Sequence, residues 1–262
     1  MTSPRKTYII ANWKMNFTPG EASLYLNRLM KRIPAGRNPQ VVLAAPTVAL
    51  QTLSLQIDRR QCKLAAQNFY WRDYGAFTGE TSISQIRSFV DYALVGHSER
   101  RYIFNESQED IAQKVAAAIR NEVTPVLCIG ETALERKDGE TAATIYNQLT
   151  SGLHEVSKED ISKIIIAYEP VWAISSNKNA KPAKPADIEK AQMVIRQDLE
   201  RVYGKETAEA VPILYGGSVS SDTAGGYLEI EGIDGLLIGG ASLNADSFCA
   251  IVETAKRIKN ER

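Results

Sequence analysis

The chain has 262 residues, of which 44% are hydrophobic and 24% are charged, a composition typical of a globular protein with a full core. Its 31 Lys and Arg balance its 31 Asp and Glu, so no net charge indicates nucleic acid or a membrane surface as a partner. No apolar run approaches the roughly 20 residues that a membrane-spanning helix needs, and we expect neither kind of partner.

Eight short apolar runs recur along the chain, and none of them alternates between apolar and polar residues. Strands with this pattern are buried on both faces, as in a parallel sheet. The runs occupy residues 8–11, 41–45, 63–66, 93–95, 126–129, 164–167, 212–215 and 236–238.

The segments between these runs are amphipathic and carry helix start signals. Thr18 and Glu21 have the spacing of a capping box, Ser107 precedes an amphipathic segment, and Asp187 opens a helix over residues 188–202. Eightfold alternation of strand and helix without a break in composition predicts an α/β protein, a single-domain (β/α)₈ TIM barrel over the whole chain, residues 1–262. A doubly wound open sheet is the structural alternative.

The N-terminal residues and the cysteines indicate the cellular compartment of the protein. Strand-like sequence begins almost at once after Met1, which leaves no room for a signal peptide. The three cysteines are odd in number and widely spaced, which favours reduced thiols over disulfides. We therefore expect a cytoplasmic protein.

Polar residues or glycines directly follow the predicted strands. In a barrel these positions surround one mouth, at the carboxyl ends of the strands, where active sites lie. They are Asn12, Lys14, Pro46, Gln67, Asn68, His97, Ser98, Glu99, Gly130, Glu131, Glu169, Gly216, Gly217, Ser218, Gly239 and Gly240.

Glu169 ends the sixth apolar run between Tyr168 and the apolar Pro170, Val171 and Trp172. Apolar neighbours desolvate a carboxylate and raise its pKa, which suits it to act as a general base. The alternative is a carboxylate that is simply paired with a cation of the barrel.

His97 lies where the fourth strand is expected to turn into a helix. The positive end of a helix dipole opposes protonation and favours the neutral imidazole, whose N–H can donate to a carbonyl oxygen. As a lone histidine it would be interpreted as a core residue, but opposite a basic glutamate it becomes a catalytic candidate. His154 is interpreted as a surface residue at a helix end.

A cation and two glycine pairs complete the set. Lys14, after the first strand, can stabilise developing negative charge on an oxygen, or pair with Glu99, or do both. The pairs Gly216–Gly217 and Gly239–Gly240 end strands seven and eight, a corner of barrels whose exposed backbone N–H groups bind phosphate.

Several other chemistries find no support in the sequence. Two distant histidines and no tight carboxylate cluster argue against a catalytic metal. Neither a P-loop nor a G-x-G-x-x-G sequence after the first strand is present, so nucleotide cofactors lack a site. A Schiff-base aldolase would have only Lys14 as its candidate lysine. A base, an electrophile, a cation and a phosphate site suit proton abstraction next to a carbonyl on a small phosphorylated substrate.

The sequence also resembles the triosephosphate isomerase family over its whole length, and that family is known for this pairing of glutamate and neutral histidine. The matching segments are residues 12–16, 67–68, 75–80, 95–101, 128–131, 167–174, 215–219 and 239–243. The resemblance implies interconversion of dihydroxyacetone phosphate and D-glyceraldehyde 3-phosphate in glycolysis and gluconeogenesis, without a cofactor.

The resemblance also implies roles for individual residues. Glu169 would move the proton, His97 would polarise the carbonyl, and Lys14 with Asn12 would hold the substrate. Cys128 and Glu99 would support the site. Backbone N–H groups of Ser175, Ser218, Gly239 and Gly240 would bind phosphate. The loop of residues 67–80 would insert into the partner subunit of a homodimer, with contacts by Thr78, Gly79 and Glu80.

The lid that would follow Glu169 departs from the family pattern. It comprises Pro170, Val171, Trp172, Ala173, Ile174, Ser175, Ser176, Asn177, Lys178, Asn179 and Ala180. The family has glycines where this chain has Ser175 and Asn177, and the motif Ala-x-Pro occurs twice, at 180–182 and 183–185, which indicates about three extra residues. The tyrosine that holds the closed lid corresponds to Tyr215, and its partner could be Ala180, Ala183 or neither.

These departures leave a functional alternative open. A lid of the wrong size would lower turnover and release more of the reactive enediolate intermediate. The alternative to an isomerase is therefore a barrel that binds phosphate, with a lid that no longer closes, and serves as a binding or scaffold protein.

Overall fold

The computed structural model describes residues 5–33, 35–36, 38–174 and 181–260, and its eight strands form a closed barrel in sequence order. Every neighbouring pair is parallel, and β8 returns to β1, where Ile9 pairs with Leu236. The strands are β1 Tyr8–Asn12, β2 Gln40–Ala45, β3 Cys62–Ala66, β4 Tyr92–Val95, β5 Thr124–Ile129, β6 Ile165–Tyr168, β7 Ile213–Tyr215 and β8 Gly235–Ile238. The prediction of a (β/α)₈ barrel is confirmed, and the open sheet is excluded.

Helices follow the strands and cover the outside of the barrel. They are α1 Pro19–Met30, α2 Thr47–Ser54, α3 Ile83–Ile86, α4 Ser98–Tyr102, α5 Gln108–Arg120, α6 Ala133–Lys137, α7 Thr141–Gly152, α8 Pro185–Tyr203, α9 Lys205–Ala210, α10 Ala224–Leu228 and α11 Ala245–Asn260. Among the described residues, no helix combines the length and apolar character required to cross a bilayer.

The absence of alternation in the strands has a direct structural cause. Successive side chains of a strand point to opposite faces, so Ile9 packs outward among the helices and Ile10 packs into the barrel interior. Both side chains are fully buried, and the same holds for Val41 and Val42 on the next strand. Because both faces are covered, most strand positions are apolar or small.

The predicted helix starts are confirmed in two cases and shifted in one. Thr18 caps α1 in a capping box with Glu21, and Ser107 caps α5. The third helix, α8, begins at Pro185, two residues before the predicted start at Asp187. Asp187 occupies the third helical position, where its carboxylate accepts a hydrogen bond from the backbone N–H of Lys184 at 3.3 Å.

Candidate active site

The mouth of the barrel brings together residues that are far apart in the sequence. Asn12 is the last residue of β1, Glu169 directly follows β6, and His97 follows β4 as the N-cap of α4. All three are buried to about the same degree, with 5% of their surface exposed. The closed barrel is what places them at one end, since parallel strands share their carboxyl edge.

The carboxylate of Glu169 contacts the imidazole of His97. Oε1 of Glu169 lies 3.3 Å from Nε2 of His97, and Oε2 is buried with no hydrogen-bond partner among the described residues. Burial raises the pKa of Glu169, but His97, Lys14 and the Cys128 thiol lower it more, so the pKa lies below its ordinary value. The raised pKa predicted from the apolar neighbours is therefore wrong for the ligand-free chain.

The ring of His97 is oriented by the first turn of α4. Its Nδ1 accepts a hydrogen bond from the backbone N–H of Glu99 at 3.2 Å, which requires an unprotonated Nδ1 and leaves the proton on Nε2, facing Glu169. Burial lowers the pKa of His97, whereas the Glu169 carboxylate raises it and prevails. The hydrogen bond at the start of α4 thus favours the predicted neutral imidazole, whereas the Glu169 carboxylate favours its protonation.

Lys14 forms the ion pair that the sequence offered as an alternative. Its Nζ lies 2.7 Å from Oε1 of Glu99, and its backbone N–H donates to Oδ1 of Asn12 at 3.1 Å. Lys14 has a left-handed backbone, with φ of 54°, and the Gln67 amide donates to its carbonyl oxygen at 2.9 Å. These contacts hold the ammonium group at the mouth, beside Gly239, where a Cβ would lie 3.4 Å from the lysine Cε.

Glycines leave room for the base and the cation at the ends of β7 and β8. A Cβ on Gly216 would come within 2.8 Å of Cγ of Glu169, so a side chain there would displace the base. Gly240 begins a short 3₁₀ helix, Gly240–Leu243, after β8. The backbone N–H and the hydroxyl of Ser218 both donate to the carbonyl oxygen of Ala173 at 2.8 Å, so these donors are engaged by the start of the lid.

The described part of the lid ends at Ile174. Val171–Ala173 forms a 3₁₀ turn, and the backbone N–H of Val171 donates to the carbonyl oxygen of Glu131. The predicted lid residues Ser175, Ser176, Asn177, Lys178, Asn179 and Ala180 lie outside the described residues, and so does the predicted phosphate contact of Ser175.

The chain beyond the lid packs against two tyrosines. The hydroxyl of Tyr227 donates to the carbonyl oxygen of Ala183 at 3.3 Å, and the rings of Tyr227 and Tyr215 lie 4.6 Å apart. The Tyr215 hydroxyl is buried without a hydrogen bond of good geometry among the described residues. Burial raises the pKa of this phenol, and the backbone of Ala183 is close enough to lower it. Ala183 thus lies next to Tyr215, and the other candidate partner, Ala180, lies outside the described residues.

Three charged residues near the lid were not assigned a role from the sequence. Glu131 is fully buried and accepts hydrogen bonds from Nε1 of Trp172 at 2.8 Å and from the Tyr168 hydroxyl. Arg136 stacks on the Trp172 ring and pairs with Asp187. The only signal for Glu131 was its place after β5, and Asp187 was predicted only as a helix start. No local pattern distinguishes Arg136 from ordinary helix-surface charges.

The residues expected at a subunit contact are exposed. Thr78, Gly79 and Glu80 lie on the surface of the loop between β3 and α3. Apolar side chains accompany them, with Tyr74 84% and Met15 97% exposed. As for metals, the described residues contain no group of three or more His, Cys, Asp or Glu that could hold an ion.

The fold and this site define an acid–base enzyme of the (β/α)₈-barrel class, with a carboxylate base facing an imidazole and an ammonium group. A family model described as triosephosphate isomerase matches residues 7–255. The chain is 42% identical to the triosephosphate isomerase of Streptococcus mutans and 43% identical to that of Lactococcus lactis subsp. lactis, in both cases over 96% of this chain and 99% of the relative. It is 41% identical to that of Caldanaerobacter subterraneus subsp. tengcongensis, over 95% of this chain. The chain belongs to the triosephosphate isomerase family.

Proposed function

We propose that this protein interconverts dihydroxyacetone phosphate and D-glyceraldehyde 3-phosphate, as a step of glycolysis and gluconeogenesis. The observation that carries the proposal is the 3.3 Å contact between Glu169 and His97 at the mouth, with Lys14 beside them. The reaction needs a base for a carbon-bound proton and a donor to the adjacent carbonyl oxygen, and these two side chains supply them.

Glu169 is the base in this reaction. Its carboxylate takes the proton from the hydroxymethyl carbon of the ketose and returns it to the former carbonyl carbon. The electron pair of the broken C–H bond forms the C=C bond of an enediolate, and the carbonyl oxygen takes up the charge. A substrate between Glu169 and His97 removes the imidazole contact that holds the pKa of Glu169 down, while the burial that raises it remains.

His97 and Lys14 act on the oxygens. The Nε2–H of His97 donates to the carbonyl oxygen and, through the intermediate, supports transfer of the hydroxyl proton between the two oxygens. Lys14, held by Asn12 and Glu99, offsets the developing negative charge, and its electrostatic effect is strong because the site is partly shielded from water. Cys128 supports Glu169 from the barrel interior, and the substrate contacts of Asn12 belong to the same proposal.

The phosphate group binds to backbone N–H groups of Ser218, Gly239 and Gly240, and of Ser175. The N–H of Ser218 donates to Ala173 in the ligand-free chain, so phosphate binding breaks that bond and releases the start of the lid. Phosphate binding and movement of the lid, residues 170–180, are thereby coupled.

The protein forms a homodimer through the loop of residues 67–80, with Thr78, Gly79 and Glu80 at the contact. The exposed Tyr74 and Met15 support this, because large apolar side chains at this exposure favour burial against a partner. A single domain over 1–262 and a cytoplasmic location complete the proposal. Sedimentation of Tyr74→Glu beside the parent tests the dimer: the variant is expected to dissociate, and a monomeric parent would contradict it.

The test of function is an assay of D-glyceraldehyde 3-phosphate isomerisation with Glu169→Gln beside the parent, in which released methylglyoxal is also measured. Activity that is lost in the variant supports the proposal. Weak parent activity with abundant methylglyoxal would place the defect in the lid. A folded parent with no activity would overturn the proposal in favour of the phosphate-binding alternative.

A further inference from the structure

Arg136 contacts the start of the predicted lid and the helix that follows it. Its guanidinium group lies 4.1 Å from the centre of the Trp172 ring, at the start of the lid. Its Nη2 donates to Oδ1 of Asp187 at 2.9 Å, in the first turn of α8, the helix that follows the predicted lid. Arg136 itself belongs to α6, which follows β5 and is separate in sequence from the predicted lid.

The buried Glu131 lies beneath this arrangement. Oε1 of Glu131 accepts from Nε1 of Trp172 at 2.8 Å and lies 4.0 Å from Nη1 of Arg136. Trp172 is therefore held on its edge by a carboxylate and on its face by a cation. A planar guanidinium can stack on a ring and bind a carboxylate through its N–H groups at the same time, which an ammonium group cannot do.

We propose that Arg136 is a positioning residue of the lid, which fixes the distance and orientation between Trp172 at its start and Asp187 in the helix that follows it. Arg136 then keeps Trp172 and Asp187 at a fixed relative position that does not depend on the length or glycine content of the segment between them. This inference rests on the proposed isomerase function and extends it to a residue that does not touch the substrate.

The partial burial of Arg136 and Asp187 favours a positioning role for Arg136 over that of a surface ion pair. The side chains of Arg136 and Asp187 are 38% and 23% exposed, and Glu131 is fully buried, so water screens the network only in part. Asp187 also accepts the N–H of Lys184, which fixes the carboxylate before Arg136 binds it. The pKa of Asp187 is lowered, since burial raises it but Arg136 lowers it further, so the carboxylate stays charged in the neutral range.

The test compares Arg136→Met, Arg136→Lys and Asp187→Asn with the parent. We expect kcat/KM to fall about tenfold in Arg136→Met, with a higher fraction of substrate lost as methylglyoxal, because a displaced lid protects the intermediate less well. Arg136→Lys should restore little of the lost kcat/KM. Lysine keeps the positive charge but cannot stack on Trp172 and bind Asp187 at the same time. Arg59→Met is the matched control, because Arg59 is also 38% exposed and pairs with Asp91 away from the site.

The outcomes separate the two proposals. An inactive parent would refute the isomerase, whereas an active parent whose Arg136 variants behave like Arg59→Met would refute only the role of Arg136. If Arg136→Met does not fold, Asp187→Asn tests the role of Arg136 instead. A methylglyoxal fraction in Asp187→Asn equal to that of the parent would overturn the proposal. The double variant Arg136→Met/Asp187→Asn should lose little more than Arg136→Met alone, since both break the same connection.

Discussion

Nε2 of His97 lies 3.3 Å from Oε1 of Glu169, and each residue changes the proton affinity of the other. The carboxylate raises the pKa of His97, and the imidazole lowers that of Glu169. In the ligand-free chain, therefore, the base and the electrophile contact each other and shift each other's pKa. Substrate binding has to separate them before either can act.

The titration of His97 tests this coupling. In Glu169→Gln the raising effect of the carboxylate is gone, so the pKa of His97 should fall from above 6.5 to below it, because burial then prevails. NMR of the imidazole resonances measures this, since the chain has only two histidines. A His97 resonance that titrates identically in both proteins would contradict the coupling.

The same pair predicts a pH dependence of stability. The pKa of His97 is higher in the folded chain than its ordinary value of 6.5, so the contact with Glu169 adds to the free energy of unfolding below pH 6.5. This contribution is lost as the pH rises through the folded value. Denaturant unfolding at a series of pH values should show this loss in the parent and not in Glu169→Gln.

Glu169→Gln should lower kcat by about 10²- to 10⁴-fold, the range typical of a lost general base. Glutamine has nearly the same size, so the fold should be unaffected. The control is Glu253→Gln, which removes an exposed carboxylate on α11 and should leave kcat unchanged. If both variants retained parent activity, another group would have to be the base.

Gly216→Ala should displace the base without removing it. The new methyl group would lie 2.8 Å from Cγ of Glu169, and we expect a loss in kcat of about 10²-fold, since small displacements of a catalytic group are costly. Gly226→Ala serves as the control, because a Cβ there meets nothing within 4 Å. Equal activity in the two variants would mean that the base relaxes around the methyl group.

Tyr215→Phe should separate stability from activity. Among the described residues the hydroxyl has no hydrogen bond of good geometry, so its removal should not lower the free energy of unfolding. Activity should fall and methylglyoxal release should rise, because the hydroxyl is proposed to hold the closed lid near Ala183. The control is Tyr146→Phe, at a half-exposed ring on α7. Unchanged methylglyoxal in Tyr215→Phe would exclude the hydroxyl from lid closure.

Local sequence was sufficient for the barrel and for the set of residues at its mouth. Burial on both faces of a parallel strand leaves a short apolar run without alternation, and this pattern is visible in eight places. Parallel strands also fix where their ends meet, so Asn12, His97 and Glu169 could be predicted to lie together. The start of α8 was misplaced by two residues, because Pro185 fits the first helical turn as well as Asp187 fits the third.

The pKa values of the site residues depend on the tertiary structure. The residues next to Glu169 in sequence are apolar and predict a raised pKa, but Coulomb interactions depend on distance in space, and His97 and Lys14 reverse the direction. The engagement of Ser218 by Ala173 and the contacts of Arg136 with Trp172 and Asp187 were also invisible in the sequence. Hydrophobic patterning is a local signal that determines the fold. The proton affinities of Glu169 and His97, and the contacts of Arg136, arise between residues that only folding brings together.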